Sequence, residues 1–338
     1  MATYKDIHGQ NIPIRASDPS NPILGEVWYN STTNLFKVRG FNTGGWTSGP
    51  NLNTATRAMF GGGTQTAAIK FAGANPGTNY SSNTEEYNGS SWSEVNNSPT
   101  AVDQANRGDV GLQTATFQAG GVSSGAVQAV TANYDGTNWT SSGALSNSRG
   151  EGAMWGVQNS AVLTGGYDAF SPPYWTNDTE EYNGTAWASG TATPLNTTGS
   201  VGVGLSESAG MIIGGREQPS NSYPSKTDQK RTLQYNGSAW TSLNDQLQTN
   251  TATSAFGDLT AAVIAGNASG ALPTTASEIW DGTSWTSGPT VSNAHGNGSG
   301  AGTGSDSGMA VGGYISSANV AAVTLWDKGA ETQTISSS

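Results

Sequence analysis

Apolar positions along the chain come in short runs or alternate with polar ones, and no stretch sustains a 3.6-residue stripe with caps at its ends. That pattern predicts strands rather than helices. One motif recurs: aromatic, Asn or Asp, Gly, two small polar residues, Trp. It reads Tyr87 to Trp92, Tyr134 to Trp139, Tyr182 to Trp187, Tyr235 to Trp240 and Trp280 to Trp285, with a looser copy from Phe41 to Trp46 and a decayed one at Trp326 to Gly329. The leading aromatics stand at 41, 87, 134, 182, 235, 280 and 326, a period of 45 to 53 residues. A second signal keeps the same period: Gly63, Gly111, Gly156, Gly204, Gly257 and Gly304 each precede an apolar run that ends in glycine, as in Gly120-Gly121, Gly165-Gly166, Gly214-Gly215 and Gly312-Gly313. Six repeat units follow from this.

Asn-Gly and Asp-Gly supply the positive φ of a tight turn, so each motif is expected to be a two-residue hairpin in which Tyr87 pairs with Ser90. Tyr87 and Trp92, Tyr134 and Trp139, Tyr182 and Trp187, Tyr235 and Trp240, and Trp280 and Trp285 then form one aromatic ledge per unit. A small sheet cannot bury such a ledge alone; stacking on the next unit does, at roughly 25 cal/mol per Å² of apolar surface. The paired glycines are expected near a central axis, where inner strands converge.

Composition narrows the chemistry. Of 338 residues 47 are Gly, none is Cys and two are His, while Lys+Arg 13 against Asp+Glu 24 gives a formal charge of -11. No basic cluster is present to neutralise a phosphate backbone, which argues against nucleic-acid binding. No run approaches a membrane span, and Met1 to Arg15 predicts no secretory leader. Without cysteine there is no disulfide, thiolate nucleophile or Cys-based metal centre. His8 and His295 are too few for a histidine metal site, and neither metal nor cofactor is expected.

The repeats, with Gly-Gly in the second strand and separated Tyr and Trp in the third and fourth, resemble kelch repeats over about residues 41 to 335. The resemblance implies an all-β, six-bladed kelch-like β-propeller, with seven blades as the alternative, and a short N-terminal hairpin or arm. The motif at Trp326 lacks a following Trp, so the strand near 41–48 is expected to complete the last blade and close the ring, dividing the chain into an attachment arm, 1–40, and a propeller, 41–338. Asp18 to Pro22, Gly25 to Thr32 and Leu35 to Val38 look like a hairpin found at the start of bacteriophage tail and fibre proteins, while Asn53 to Arg57 with Gly63 to Ala68 resembles propeller proteins of marine phages. These resemblances imply a non-enzymatic virion structural protein (tail fibre, head fibre or capsid decoration), made in the host cytoplasm. It would be joined to other virion proteins through residues 1–40, inserted in no membrane, and open to homo-oligomerisation.

Kelch propellers include a copper-radical oxidase, whose cysteine-tyrosine crosslink and paired histidines have no counterpart here. A sialidase-like site would need clustered arginines. Arg57, Arg107 and Arg149 fall at roughly equivalent repeat positions and are expected to bond backbone carbonyls of the neighbouring unit. Asn-X-Ser/Thr at Asn88, Asn138, Asn183, Asn196, Asn236 and Asn297 reads as turn chemistry, as do Asp135, Asp281 and Asp327. The connections after the Gly-Gly strands vary most. Tyr167, Phe170, Tyr174 and Trp175 in one, with Tyr223 in the next, are the candidate ligand-binding residues, since exposed rings stack on sugar faces. A lectin-like protein binding a host surface glycan is therefore the alternative function, and a polysaccharide hydrolase or lyase a distant one.

Overall fold

The computed structural model describes residues 12–20, 26–41, 44–168, 175–217, 227–267, 273–293, 295–315 and 318–335, and no helix occurs among them. Two compact units are present, Met1–Gly45 with Lys328–Ser338, and Trp46–Asp327.

The small unit is one sheet, in the order Ile14–Arg15, Val27–Asn30, Leu35–Phe41, Ala330–Ile335. Val27–Asn30 and Leu35–Phe41 form the hairpin expected from the sequence, with Asn30 facing Leu35 and Asn34 in the left-handed region at φ 56. The Asn30 side chain fixes the turn by accepting from the Thr32 and Thr33 N–H groups, each at 3.0 Å. Trp28 is fully buried and donates to Asp18 Oδ1 at 2.9 Å, as does Asn30 at 2.8 Å. These two hydrogen bonds, from Asn30 first, hold the Asp18 carboxyl below its usual range. The sequence reading assigned everything after residue 40 to the repeats. Instead Ala330–Ile335 pairs with Leu35–Phe41, because the outer place in the last repeat sheet is already filled from the N-terminal side.

Among the described residues the repeats of the large unit form five four-stranded sheets and one of three strands, and the connections add a small three-stranded sheet, Thr197–Thr198 with Arg216–Glu217 and Thr227–Asp228, and two two-stranded ribbons, Val122–Ser123 with Ala126–Val127 and Tyr314–Ile315 with Ala318–Asn319. In chain order the repeat sheets begin with Phe60–Thr64, Thr116–Ala119, Ala153–Val157, Val201–Ser206, Ser254–Gly257 and Ser299–Ala301. The sixth contains Ser307–Val311 and Val323–Asp327, with Gly45–Ser48 as its outer strand. Their first strands, or for the second sheet the preceding 107–110 segment, converge through parallel bridges such as Gly61 with Asp109 and Val110 with Gly156. At this convergence side chains are excluded: a Cβ on Gly62 would lie 2.2 Å from Val110 O, and one on Gly300 1.9 Å from Ala255 O.

Two circles of backbone hydrogen bonds close the large unit. The first joins left-handed residues just ahead of the first strands: Ala58, Gln104, Glu151, Gly199, Ala252 and Asn297, with φ between 48 and 66. Ala58 donates to Asn297 O, Asn297 to Ala252 O, Ala252 to Gly199 O, Gly199 to Glu151 O and Glu151 to Gln104 O; Ala105 donates to Ala58 O and completes the circuit, all at 2.7–3.1 Å. The second runs the other way: Gly73 to Val102 O, Gly121 to Arg149 O, Gly166 to Thr197 O, Gly215 to Asn250 O, Asn267 to His295 O and Gly313 to Thr56 O, at 2.6–3.1 Å.

That second circle corrects the expected role of the double glycines. They end the second strands, and their missing side chains admit the next unit's backbone rather than relieving crowding at the axis. A Cβ on Gly120 would lie 2.4 Å from Arg149 O. In the fifth unit the pair is Gly266-Asn267, with Gly266 at φ 68. The periodic glycine of the sixth unit is likewise Gly302, at φ 156, and not Gly304, which has open space around it.

The aromatic motifs are hairpins, but not of the expected type. Tyr87 pairs directly with Trp92 across a four-residue connection, and Asn88 Oδ1 accepts from the Ser90 and Ser91 N–H groups, each at 3.0 Å. Only Gly89 takes positive φ in that connection, so the Asn side chain, not a second left-handed residue, makes the turn. Asp135 and Asp281 do the same work, and accepting backbone N–H groups lowers their pKa values.

The ledges pack back onto the preceding unit. Each ledge tryptophan donates there: Trp92 to Pro50 O, Trp139 to Asn96 O, Trp187 to Thr131 Oγ1, Trp240 to Thr191 O and Trp285 to Thr232 Oγ1. Tyrosine hydroxyls reach the same way, Tyr134 to Glu86 at 2.9 Å and Tyr235 to Glu181 at 2.6 Å. The arrangement of small sheets closed into a circle is β-propeller-like.

Candidate functional site

After each second strand the chain folds back beside the residue that precedes its own unit's left-handed position. Arg57 bridges Ala74, Asp103 bridges Val122, Gly150 bridges Tyr167, Thr197–Thr198 pairs with Arg216–Glu217, and Gly296 bridges Tyr314. In the fifth unit the Asn267 side chain substitutes, accepting from Thr251 N at 3.1 Å. The variable connections therefore share one rim with the first circle of hydrogen bonds.

Arg107 reaches into that circle. It stands in a stretch where the second unit carries two more residues than the others between its left-handed residue and its periodic glycine, seven positions from Gln104 to Gly111 against five from Ala58 to Gly63. Its Nη2 donates to Asn297 Oδ1 at 2.7 Å and to Glu151 Oε1 at 3.4 Å, and the side chain is 4 % exposed. Nε and Nη1 make no hydrogen bond among the described residues. Thr198 Oγ1 lies 3.4 Å from Glu151 Oε2, and Arg57 Nη2 lies 3.9 Å from Asp103 Oδ2. Burial raises the Asp103 pKa. Deeper, Asp109 Oδ2 accepts from Gly302 N–H at 2.8 Å, tying the second unit to the sixth, and burial pushes its pKa well above the ordinary carboxylate value. The arrangement gathers polar groups of three units on one rim: Glu151, partly exposed, and Asn297 both accept from Nη2, while Nε and Nη1 are buried beneath them.

Arg149 behaves otherwise. It bonds Asp178 O at 2.9 Å and Gly165 O at 3.4 Å in its own unit, not the neighbour, and pairs with Glu180 in full burial. Lys70 and Glu85, both fully buried and 3.0 Å apart, make the corresponding pair in the first unit. Glu85 and Glu180 each also accept two consecutive N–H groups, of Asn53 and Thr54 and of Ser146 and Asn147. These cations are structural.

Of the candidate ligand-binding residues, Tyr167 and Trp175 are brought together by an antiparallel bridge. Tyr167 is half-buried, and Trp175, at 9 % exposure, offers no open ring face. Phe170, Tyr174 and Tyr223 lie outside the described residues, as does His8. Sequence reasoning missed Glu151, Asn297 and the crossing of Arg107 to them. The signal available was the longer spacing from Gln104 to Gly111. His295 is buried, and burial lowers its pKa to about 4. Among the described residues no three or more His, Cys, Asp or Glu come together in a way that would hold a metal ion.

No protein-family model matches the chain, and no curated protein matches it. Among solved structures it is similar to one titled "Structure of YjhT", with a TM-score of 0.65 and 14% identity, over 84% of this chain and 99% of that one. The likeness is one of fold, an all-β, β-propeller-like chain.

Proposed function

We propose that the six sheets are the blades of a six-bladed kelch-like propeller, and that the chain is a non-enzymatic structural component of a bacteriophage particle. The small sheet is its attachment module and the propeller its displayed face, serving adhesion to a host or other surface. One observation carries this reading: the strands of residues 14–41 and 330–335 form one small sheet, while the repeats form a closed unit of their own. A display protein needs that separation, and the hairpin at residues 27–38 is the part that resembles phage tail and fibre proteins. Mass spectrometry of purified particles tests the proposal. The protein should be present, and a variant lacking both 1–44 and 328–338 should fold yet fail to incorporate. Particles without the protein would contradict it.

A lectin-like role is favoured by a different observation, the meeting of Arg107, the partly exposed Glu151 and Asn297 from three units at the rim that the variable connections share. Glycan-array binding that disappears in Arg107→Met would support it, and an array with no signal would count against it.

A further inference from the structure

The face of the small sheet opposite Trp28 carries a row of directly paired residues across all four strands: Ile14 beside Tyr29, Tyr29 beside Phe36, Phe36 beside Ile335. Direct partners point to the same side of a sheet. Ile14 is 74 % exposed, Phe36 45 % and Ile335 47 %, so three of the most exposed large apolar side chains among the described residues stand in one line. Tyr29 and Phe36 hold each other with ring centres 5.1 Å apart. No charged residue stands in the row.

We propose that this face pairs with the same face of a second copy of the chain. The row is aliphatic, aromatic, aromatic, aliphatic, so it reads alike from either end. A two-fold axis between two such sheets, lying along the row or across it at its centre, sets Ile against Ile and ring against ring, the self-complementarity an isologous contact requires. Charge selects the same place. Met1–Gly45 with Lys328–Ser338 holds five Lys/Arg and four Asp/Glu, net +1, whereas Trp46–Asp327 holds eight and twenty, net -12. Like-charged copies can meet closely only through the part that does not repel. The four strands, of 2, 4, 7 and 6 residues, at ~4.8 Å spacing and ~3.4 Å per residue give a face of roughly 300 Å². That is less than half of what one partner contributes to a standard interface, which makes this a weak, transient contact.

Sedimentation equilibrium of the full chain from about 5 to 500 μM, the range in which weak self-association shows, reads this directly. A monomer–dimer equilibrium is expected, weakened at least about tenfold by Ile14→Asp and by Phe36→Asp. Ile14, in a two-residue edge strand, is the change least able to disturb the fold, and an unchanged thermal transition confirms that the loss is one of association. A wild-type chain that stays monomeric throughout overturns the proposal, and so does a dimer that persists in Ile14→Asp.

Discussion

Trp46 and Trp326 stand with ring centres 5.1 Å apart, although 280 positions separate them in the chain. Trp326 lacks the tryptophan that follows the other leading aromatics, and Trp46, from the strand before the first repeat, takes that place. It also packs edge-on to Phe256 at 6.2 Å and reaches Ser277 Oγ at 3.4 Å, the same backward reach made by the other ledge tryptophans. Trp46→Ala should therefore cost about 2–4 kcal/mol of unfolding free energy, as a large partly buried aromatic does, with Trp46→Phe recovering about half. Urea unfolding measures both, and a Trp46→Ala change under about 0.5 kcal/mol would refute its place in the closure.

Gly300 and Gly304 make a matched pair, neither in the left-handed region. A Cβ on Gly300 would meet Ala255 O at 1.9 Å, whereas none meets an atom within 4 Å at Gly304. Gly300→Ala should lower stability by more than about 3 kcal/mol or prevent folding, and Gly304→Ala should stay within about 0.5 kcal/mol. Thermal unfolding of the two variants side by side checks the contrast.

His295 gives a pH dependence of definite sign. Burial lowers its folded pKa from 6.5 to about 4, so the unfolded chain takes up a proton first as the pH falls. The stability due to keeping it neutral is complete above pH 6.5, declines between there and about 4, and amounts to about 3 kcal/mol across that window. The raised carboxyls of Asp103, Asp109 and Glu278 act in the opposite direction, so the difference between wild type and His295→Gln isolates the imidazole. Wild type should lose stability relative to the variant from pH 7 to pH 4 in chemical denaturation, and parallel profiles would rule this out.

Lys70 and Glu85 form a pair with no exposed surface on either side chain. Lys70→Met leaves the carboxylate buried and should cost about 3–5 kcal/mol. Adding Glu85→Gln, which keeps an acceptor for the Asn53 and Thr54 N–H groups, should restore most of it. A double-mutant cycle in guanidinium tests the coupling, and additive losses would contradict it.

The repeat was legible in the sequence because each unit needs the same aromatic pair and the same turn residues. Tyr87 with Trp92 and Trp280 with Trp285 share a face as expected, although as direct partners rather than two residues apart. The turn type was not legible, since Asn-Gly serves both a two-residue turn and the side-chain-capped connection found here. Nor was the purpose of Gly120-Gly121, because a missing side chain says that something approaches closely without saying what. The place of the last strand, Ala330–Ile335, was not legible, because it follows the decayed copy at Trp326 with no aromatic pair or turn motif of its own to set it apart from the repeats. The rim escaped for a related reason: Arg107, Glu151 and Asn297 come from three units and meet only when the circle closes.

An experimentally determined structure of the large unit, by crystallography or electron microscopy at a resolution that separates strands, tests the central claim most directly. It should contain six small sheets in a closed circle, with residues 45–48 as the outer strand of the sixth and Trp46 against Trp326. A seventh repeat sheet in the circle, an open row, or residues 45–48 paired elsewhere would contradict it.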